Sequence, residues 1–294
     1  MPELPEVEVL VRHLAPLLEG RVIRRIVIRR ARVLRPASVK QFTQTLQGAR
    51  FTGLSRRGKY LVFTVQPRDG AGLRTWLGHL GMTGRFYVAR PGQPRPKHAA
   101  VVFDLGRLEL VYEDPRYFGR LLLDTAPLLR LGPEPLGPQF TVAYLHQALR
   151  WSAQPIKVKL LDQSLVAGIG NIYASEALFR ARIPPQWAAR RLQRDQVRRL
   201  WRAIRAVLAE AIAWGSTVPL NFGSGAGHGD LFYFGRAPDA PDYYAERLRV
   251  YDRAGRPCHR CGATIRRTVQ GARSTYFCPR CQAGKRVDDV RGGA

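Results

Sequence analysis

The sequence lacks any apolar run of the roughly 20 residues that a helix needs to cross a lipid bilayer. Its first segment also lacks the positive charge of a secretory signal and carries several carboxylates instead. Neither feature suggests a membrane or exported protein. We therefore expect a soluble cytoplasmic protein with no membrane partner.

Acidic residues are scarce as well: 22 Asp and Glu stand against 48 Lys and Arg, which gives a formal net charge of +26. So basic a chain is expected to bind a polyanion, because neutralising phosphates releases condensed counterions. Only six of the basic residues are lysines. Arginine suits forked phosphate contacts, although a GC-rich coding genome would produce the same bias. The charge predicts a nucleic-acid partner, with anionic membrane surfaces as the competing polyanion.

The first half of the chain has the pattern of one helix followed by many short strands. Apolar residues at helical spacing between Pro5 and Gly20 predict one amphipathic helix. Short β-branched runs separated by turn residues then predict a β-sandwich or barrel. These runs are residues 22–28, 60–65, 73–77, 85–88, 99–103 and 108–112.

Two prolines, Pro133 and Pro135, mark a domain boundary. A helical region follows from about residue 141 to 215, and its last helix has one apolar face and one arginine-rich face. We therefore predict domains at residues 1–130 and 135–225, a long glycine-rich loop at 221–241, a cysteine-bearing module at 246–282 and a disordered tail at 283–294.

All four cysteines lie in two matched pairs, Cys258-x-x-Cys261 and Cys278-x-x-Cys281. This spacing is typical of a tetrahedral zinc site, whereas a disulfide or redox pair is disfavoured in a cytoplasmic protein. His259 is predicted to be a surface residue. Two short strands between the pairs, 265–269 and 274–277, predict a hairpin too small to fold by itself. We expect one structural Zn²⁺ that holds it.

The amino terminus permits a particular covalent chemistry. Removal of Met1 would leave Pro2 as a secondary amine beside the carboxyl group of Glu3. An α-amino group titrates near pH 8, roughly two units below a lysine, so a useful fraction is nucleophilic at neutral pH. Such an amine can attack a sugar carbon and form an iminium. The alternative is that these residues only begin a helix.

Five segments carry a resemblance to a known family. They are Pro2-Glu-Leu-Pro-Glu-Val-Glu8, His79-Leu-Gly-Met-Thr-Gly84, Asp114-Pro-Arg-Tyr-Phe-Gly119, Leu161-Asp-Gln-Ser-Leu-Val-Ala-Gly-Ile-Gly-Asn-Ile-Tyr173 and the four-cysteine module. With these motifs, residues 1 to about 282 resemble the formamidopyrimidine-DNA glycosylase family. The resemblance implies an α+β fold: an amino-terminal helix and β-sandwich domain, then a helix-two-turn-helix domain with a β-hairpin zinc finger.

The resemblance also implies an activity. The expected enzyme is a monomer that binds double-stranded DNA and removes 8-oxoguanine opposite cytosine and formamidopyrimidines. It then cleaves the abasic site by β,δ-elimination, with no metal or nicotinamide in the chemistry. Two alternatives stay open: an endonuclease VIII-like enzyme for oxidised pyrimidines, and a noncatalytic zinc-finger DNA-binding protein.

Roles for individual residues follow from the same resemblance. Pro2 would be the nucleophile and Glu3 the general acid, with Glu6 and Lys59 supporting the site. Met82, Arg116 and Phe118 would fill the space left by a flipped nucleotide. Asn171 and Arg273 would hold phosphates, with Lys157 as a weaker candidate.

Without the family resemblance, several of these residues have simpler interpretations. Lys59 would be a solvated turn lysine and Arg116 a solvated loop charge, while Met82 and Phe118 would be core residues. The chain also departs from the family pattern in two places. The 221–241 loop, expected to cap the lesion, is longer and richer in glycine, and Tyr117 stands where a basic residue is common.

Overall fold

The computed structural model describes residues 2–215 and 247–284. The predicted lesion-capping loop at 221–241 lies outside the described residues, as does the predicted tail from residue 285 onward. The described chain forms two compact units. The first contains residues 2–130 with 214–215, and the second contains residues 131–213 with 247–284.

The helices and strands are numbered in chain order. The helices are α1 Leu4–Leu18, α2 Val39–Leu46, α3 Ala126–Leu129, α4 Val142–Leu149, α5 Ile156–Leu160, α6 Asn171–Ala181 and α7 Arg194–Ala213. The strands are β1 Arg25–Ile28, β2 Arg50–Arg57, β3 Tyr60–Gln66, β4 Arg74–His79, β5 Arg85–Ala89, β6 Ala99–Asp104, β7 Glu109–Glu113, β8 Arg120–Leu122, β9 Arg266–Gln270 and β10 Arg273–Phe277. Short 3₁₀ helices occupy Ala31–Leu34 and Ala189–Arg191.

The first unit is the predicted helix and β-sandwich. Two four-stranded antiparallel sheets have the orders β1-β6-β7-β5 and β2-β3-β4-β8. Helix α1 buries Val7, Leu10 and Leu14 in the core, as their helical spacing predicted. The fold class inferred from the sequence is therefore confirmed.

Strands β2 and β8 and helix α2 were not predicted. Strand β2 is rich in arginine, and its register shifts between Phe51 and Gly53, so it does not alternate regularly between apolar and polar residues. Strand β8 has only three residues. Both strands form because they pair with neighbouring strands. Neither has an alternation of apolar and polar residues that predicts a strand.

An aromatic stack fixes the two strands that lead into the candidate site. The rings of Phe63 on β3 and Trp76 on β4 lie 3.9 Å apart and are nearly parallel. Phe103 on β6 stacks against Trp76 from the opposite sheet, at 5.4 Å. Such packing stabilises beyond the area it buries, so the turn before β3 and the loop after β4 begin from rigid strands.

The second unit consists of α4–α7 with the β9–β10 hairpin. Helix α7 buries the apolar face that its sequence predicted, including Leu200, Ile204 and Leu208. Helix α6 is buried along almost its whole length and packs against α5, α7 and β10. No helix within the described residues is long and apolar enough to cross a membrane.

The turn of the β9–β10 hairpin carries backbone strain. Gly271 and Ala272 have φ of 54° and 57°, so an alanine occupies a left-handed position that favours glycine. We expect Ala272→Gly to raise the free energy of unfolding by about 0.5–1 kcal/mol, since relief of strain exceeds the added entropy of the unfolded chain. Thermal unfolding of the zinc-loaded protein measures this effect. Ala254→Gly, at an exposed alanine without positive φ, is the matched control and should not stabilise. A destabilised Ala272→Gly protein would contradict the prediction.

Candidate active site and nucleic-acid interface

The predicted nucleophile and general acid lie together at the start of α1. Glu3 is the residue before the helix, and its side chain is buried, while Pro2 is half-buried. The backbone N–H of Glu3 donates to Oε2 of Glu6 at 2.8 Å. Glu6 is itself buried on the first helical turn. Glu6 therefore fixes the backbone from which Glu3 and Pro2 project.

Lys59 lies in the two-residue turn between β2 and β3, after Gly58, which has a φ of 56°. Its side chain is half-buried rather than fully solvated. An ion pair of 2.8 Å between Glu8 of α1 and Arg56 of β2 holds this hairpin to the helix that carries Pro2 and Glu3. Burial raises the pKa of Glu8, but hydrogen bonds and charge from Arg56 and Arg12 outweigh it and lower that pKa overall.

Two loops of the sandwich bring the predicted void-filling residues close to one another. Met82 lies in the loop 80–84, and Arg116 and Phe118 lie in residues 114–119, which we call the insertion loop. The loops are in tight contact, since a Cβ on Gly81 would lie 2.6 Å from both the Gly119 nitrogen and the Phe118 carbonyl carbon. Phe118 is 51% exposed, and the guanidinium of Arg116 lies 6.0 Å from its ring centre. An exposed phenylalanine beside an exposed arginine suits insertion into a base stack better than a core role.

Buried Asp114 organises both loops. Its Oδ1 accepts hydrogen bonds from the Thr83 hydroxyl at 2.6 Å and the Arg116 backbone N–H at 3.1 Å. Its Oδ2 accepts from the Gly119 backbone N–H at 2.8 Å. The Tyr112 hydroxyl lies against the same carboxylate, at 3.5 Å. One buried carboxylate therefore ties the Met82 loop to the insertion loop.

His79, the last residue of β4, immediately precedes the loop that carries Met82. Its Nδ1 accepts a hydrogen bond of 3.1 Å from the backbone N–H of Gly81, which requires that nitrogen to be unprotonated. Burial, followed by the charges of Lys59 and Arg120, lowers the pKa of His79 from 6.5 to about 4. His79 is therefore neutral at neutral pH and supports the Met82 loop in that state.

This depressed pKa predicts a pH dependence of stability. The unfolded chain binds a proton at His79 near pH 6.5 and the folded chain only near pH 4, so stability is lost as pH falls through this window. We expect wild-type protein to lose about 2 kcal/mol more than His79→Gln between pH 7 and pH 5. Urea unfolding at several pH values measures the difference. His146→Gln, the same change at a histidine of α4 in the other unit, is the matched control and should lose as much stability as wild type. Equal losses in wild type and His79→Gln would contradict the prediction.

Two of the three predicted phosphate-holding residues of the second unit, Asn171 and Lys157, form one hydrogen-bonded group. Asn171 is the first residue of α6, and its Nδ2 donates to the Ser274 carbonyl of β10 at 2.9 Å. Lys157 is fully buried, and its ammonium donates to Asn171 Oδ1 and to the same Ser274 carbonyl, the latter at 3.3 Å. Arg273, one residue earlier on the hairpin, is exposed. The orientation of the Asn171 amide therefore depends on both Lys157 and the hairpin.

Buried Glu176 of α6 holds the beginning of the cysteine-bearing module, ahead of its first cysteine pair. Its carboxylate accepts backbone N–H donors of Arg249, Val250 and Tyr251, at 2.8–2.9 Å. Burial raises the pKa of Glu176, and the three donors oppose the rise. A second link runs from Gln282, whose side chain donates to the Ile183 carbonyl at 2.9 Å.

The four cysteine sulfurs form a site for one zinc ion. They lie within 4.8 Å of one another, with 3.4 Å between Cys261 and Cys278 and 3.9 Å between Cys258 and Cys281. A tetrahedral zinc with Zn–S bonds of about 2.3 Å would separate its sulfurs by about 3.8 Å. Backbone N–H groups within each knuckle, of Arg260 and Cys281, point at sulfurs of Cys258 and Cys278. His259 is exposed and is not one of the four ligands.

Several residues of these sites were not assigned a role from the sequence. The ion pair of Glu8 with Arg56, the carboxylate of Asp114 and the carboxylate of Glu176 all act through partners distant in the chain. Glu8 and Asp114 do lie within the quoted motifs. Burial of a charged residue was the missing signal, and sequence alone does not give it.

Comparison with known proteins places these sites in a family. Three family models match in succession: the formamidopyrimidine-DNA glycosylase N-terminal domain at residues 1–121, its H2TH domain at 131–220, and the zinc finger found in FPG and IleRS at 255–284. A formamidopyrimidine-DNA glycosylase of Novosphingobium aromaticivorans is 42% identical over 290 residues, covering 96% of this chain and 100% of the relative. The chain belongs to the formamidopyrimidine-DNA glycosylase family.

Solved structures of the family agree with the fold. The crystal structure of the Thermus thermophilus protein aligns with a TM-score of 0.79 and 41% identity, over 97% of this chain and 100% of that one. A complex between the Lactococcus lactis protein and DNA containing an abasic site aligns with a TM-score of 0.82 and 32% identity, over 96% and 100%. As a formamidopyrimidine-DNA glycosylase, the protein is a base-excision repair enzyme with glycosylase and abasic-site lyase activities. The predictions of family, fold, enzyme class and one structural zinc are confirmed.

Proposed function

We propose that the enzyme excises oxidised purines, 8-oxoguanine opposite cytosine and formamidopyrimidines, with Pro2 as the nucleophile. The observation that carries this proposal is the first turn of α1, where buried Glu3 lies next to Pro2 and is fixed by Glu6. A buried carboxyl group beside an amine can act as proton donor while the amine attacks. The enzyme acts as a monomer in the cytoplasm, on the DNA of the nucleoid.

The reaction begins at C1′ of the damaged nucleotide. The Pro2 nitrogen, an unprotonated secondary amine after removal of Met1, forms a bond to C1′ as the glycosidic bond breaks. The nitrogen then loses its N–H proton, and the base leaves with the electron pair and takes up a proton. Glu3 then gives a proton to the sugar ring oxygen as the C1′–O4′ bond breaks. The product is an open-chain iminium between Pro2 and C1′.

The iminium acidifies the sugar and so permits strand cleavage. Loss of a C2′ proton expels the 3′ phosphate, and a second elimination expels the 5′ phosphate, which leaves a one-nucleotide gap. Water then hydrolyses the imine and frees Pro2. Lys59, held near α1 by the Glu8–Arg56 ion pair, provides positive charge for the lesion and its phosphate.

DNA binding uses both units. In the first, Met82, Arg116 and Phe118 fill the space of the flipped nucleotide, and Arg116 donates hydrogen bonds to the orphaned cytosine. In the second, Asn171 and Arg273 hold phosphates, and Lys157 supports them through its hydrogen bond to Asn171. Zinc bound by the four cysteines holds the hairpin that carries Arg273 and does not take part in bond cleavage.

Excision assays on matched duplexes test the lesion class. We expect single-turnover excision of 8-oxoguanine opposite cytosine to be much faster than that of thymine glycol in the same sequence context. Formamidopyrimidine opposite cytosine should be removed as readily as 8-oxoguanine. A strong preference for thymine glycol would instead assign the enzyme to oxidised pyrimidines.

A further inference from the structure

Tyr117 occupies an unusual position between the two side chains assigned to the duplex. It lies in the insertion loop between Arg116 and Phe118, and its φ of 54° is in the left-handed region. A bulky residue rarely adopts this conformation, and it persists only where surrounding contacts enforce it. Contacts with the rest of the sandwich must therefore hold Tyr117 in this conformation.

The side chain of Tyr117 is held by residues from elsewhere in the sandwich. Arg30 donates a hydrogen bond from Nε to the Tyr117 hydroxyl at 3.2 Å, and its guanidinium lies 5.9 Å from the ring centre. His98 Nδ1 lies 3.4 Å from the same hydroxyl. The carbonyl of Tyr117 accepts a further hydrogen bond from Arg120 at 3.0 Å. Both the side chain and the backbone of the strained residue are therefore fixed.

Backbone hydrogen bonds hold Arg30 and His98 at the beginning of β6. The backbone N–H of Arg30 donates to the Ala100 carbonyl at 3.1 Å, so Arg30 is tied to β6, and His98 immediately precedes that strand. The His98 carbonyl accepts the backbone N–H of Asp114 at 3.2 Å, at the start of the insertion loop. Arg30, His98 and Tyr117 thus form a side-chain brace between one sheet end and the loop.

We propose that Tyr117 is a positioning residue: through its hydroxyl contacts with Arg30 and His98, it holds the insertion loop so that Arg116 distinguishes the base opposite the lesion. The proposal rests on the function proposed above. Asp114 fixes the backbone of Arg116 on one side, and Tyr117 fixes it on the other. A loop ordered before binding loses less entropy on the DNA and tolerates fewer alternative contacts. The brace therefore acts on discrimination rather than on the chemical step.

Substitutions that remove single elements of the brace test this role. Tyr117→Phe removes only the hydroxyl, and Arg30→Gln removes the guanidinium. Each should lower the ratio of excision opposite cytosine to excision opposite adenine by about threefold to tenfold, the effect of one hydrogen bond. The double variant should lose no more than Tyr117→Phe alone, because Arg30 acts through the hydroxyl that Tyr117→Phe has already removed. Tyr144→Phe, which removes a hydroxyl bonded to the Leu165 carbonyl in the other unit, is the matched control and should keep the wild-type ratio.

A binding measurement separates the brace from the chemistry. The dissociation constants of duplexes with a tetrahydrofuran abasic analogue opposite cytosine or adenine are measured for wild type, Tyr117→Phe and Arg30→Gln. If wild type binds the cytosine duplex more tightly and this preference is smaller in both variants, the brace is supported. That result would hold even if the enzyme does not excise 8-oxoguanine, which would contradict only the proposed function. An unchanged ratio, an equal loss opposite both bases, or additive losses in the double variant would overturn the proposal.

Discussion

Glu3→Gln is expected to lose base excision while still binding damaged duplex. A general acid contributes about 10²- to 10⁴-fold to a reaction, and the amide that replaces it has no proton acidic enough to transfer. Glutamine keeps the shape of the side chain in a site where Glu3 is 1% exposed. The backbone N–H of residue 3 still reaches Glu6, so the start of α1 should keep its structure. The excision rate should therefore fall by about 100-fold or more without a matching loss of affinity.

Two measurements check this prediction. Single-turnover excision of 8-oxoguanine opposite cytosine gives the rate, and the dissociation constant for an abasic-analogue duplex gives the affinity. Glu19→Gln is the matched control, because it makes the same change at the exposed carboxyl end of α1. Its excision rate should equal that of wild type. Near-normal excision by Glu3→Gln would remove Glu3 as the proton donor.

Cys258→Ser is expected to unfold the zinc module and to weaken DNA binding by about 100-fold or more, the effect of losing two charge-assisted hydrogen bonds. Zinc supplies most of the folding free energy of such small modules. Strand β9 is almost entirely exposed and β10 fully buries only Thr275, so the hairpin has little apolar core of its own. Their loss would release Arg273 and remove the Ser274 carbonyl that orients Asn171 and Lys157. The amino-terminal sandwich should stay folded.

Zinc content by elemental analysis and affinity over a range of salt concentrations measure this prediction. The salt dependence of binding should become shallower, because fewer phosphates are neutralised. His259→Ser, at the exposed position next to Cys258 and outside the sulfur cluster, is the matched control and should keep zinc and affinity. Unchanged zinc content and affinity in Cys258→Ser would contradict the role of the module.

The elements that the sequence predicted well have strong local patterns. Helix α1, helix α7 and the strands around Trp76 show regular apolar spacing, and the cysteine pairs have zinc-ligand spacing. Strand β2 was missed because its polar composition and bulge hide it, and it is stabilised by pairing with β3. Local patterns therefore account for most of the fold and for the metal site.

The contacts that order the candidate sites could not be read from any local pattern. Arg30 and Tyr117 are 87 residues apart, and Lys157 and Ser274 are 117 apart. Lys157 is an example: a lysine in a basic protein is expected at the surface. This lysine is instead fully buried, where its ammonium donates a hydrogen bond to Asn171. Burial and long-range partners are set by tertiary packing, so the sequence predicts candidate reacting residues but not the contacts that support them.

The covalent step through Pro2 is tested most directly by borohydride trapping on a duplex containing 8-oxoguanine opposite cytosine, with mass spectrometry of the amino-terminal peptide. Reduction of the iminium should give a stable protein–DNA adduct on Pro2, in protein shown to lack Met1 and to contain zinc. The absence of any adduct in that protein, or an adduct on another residue such as Lys59, would contradict Pro2 as the nucleophile.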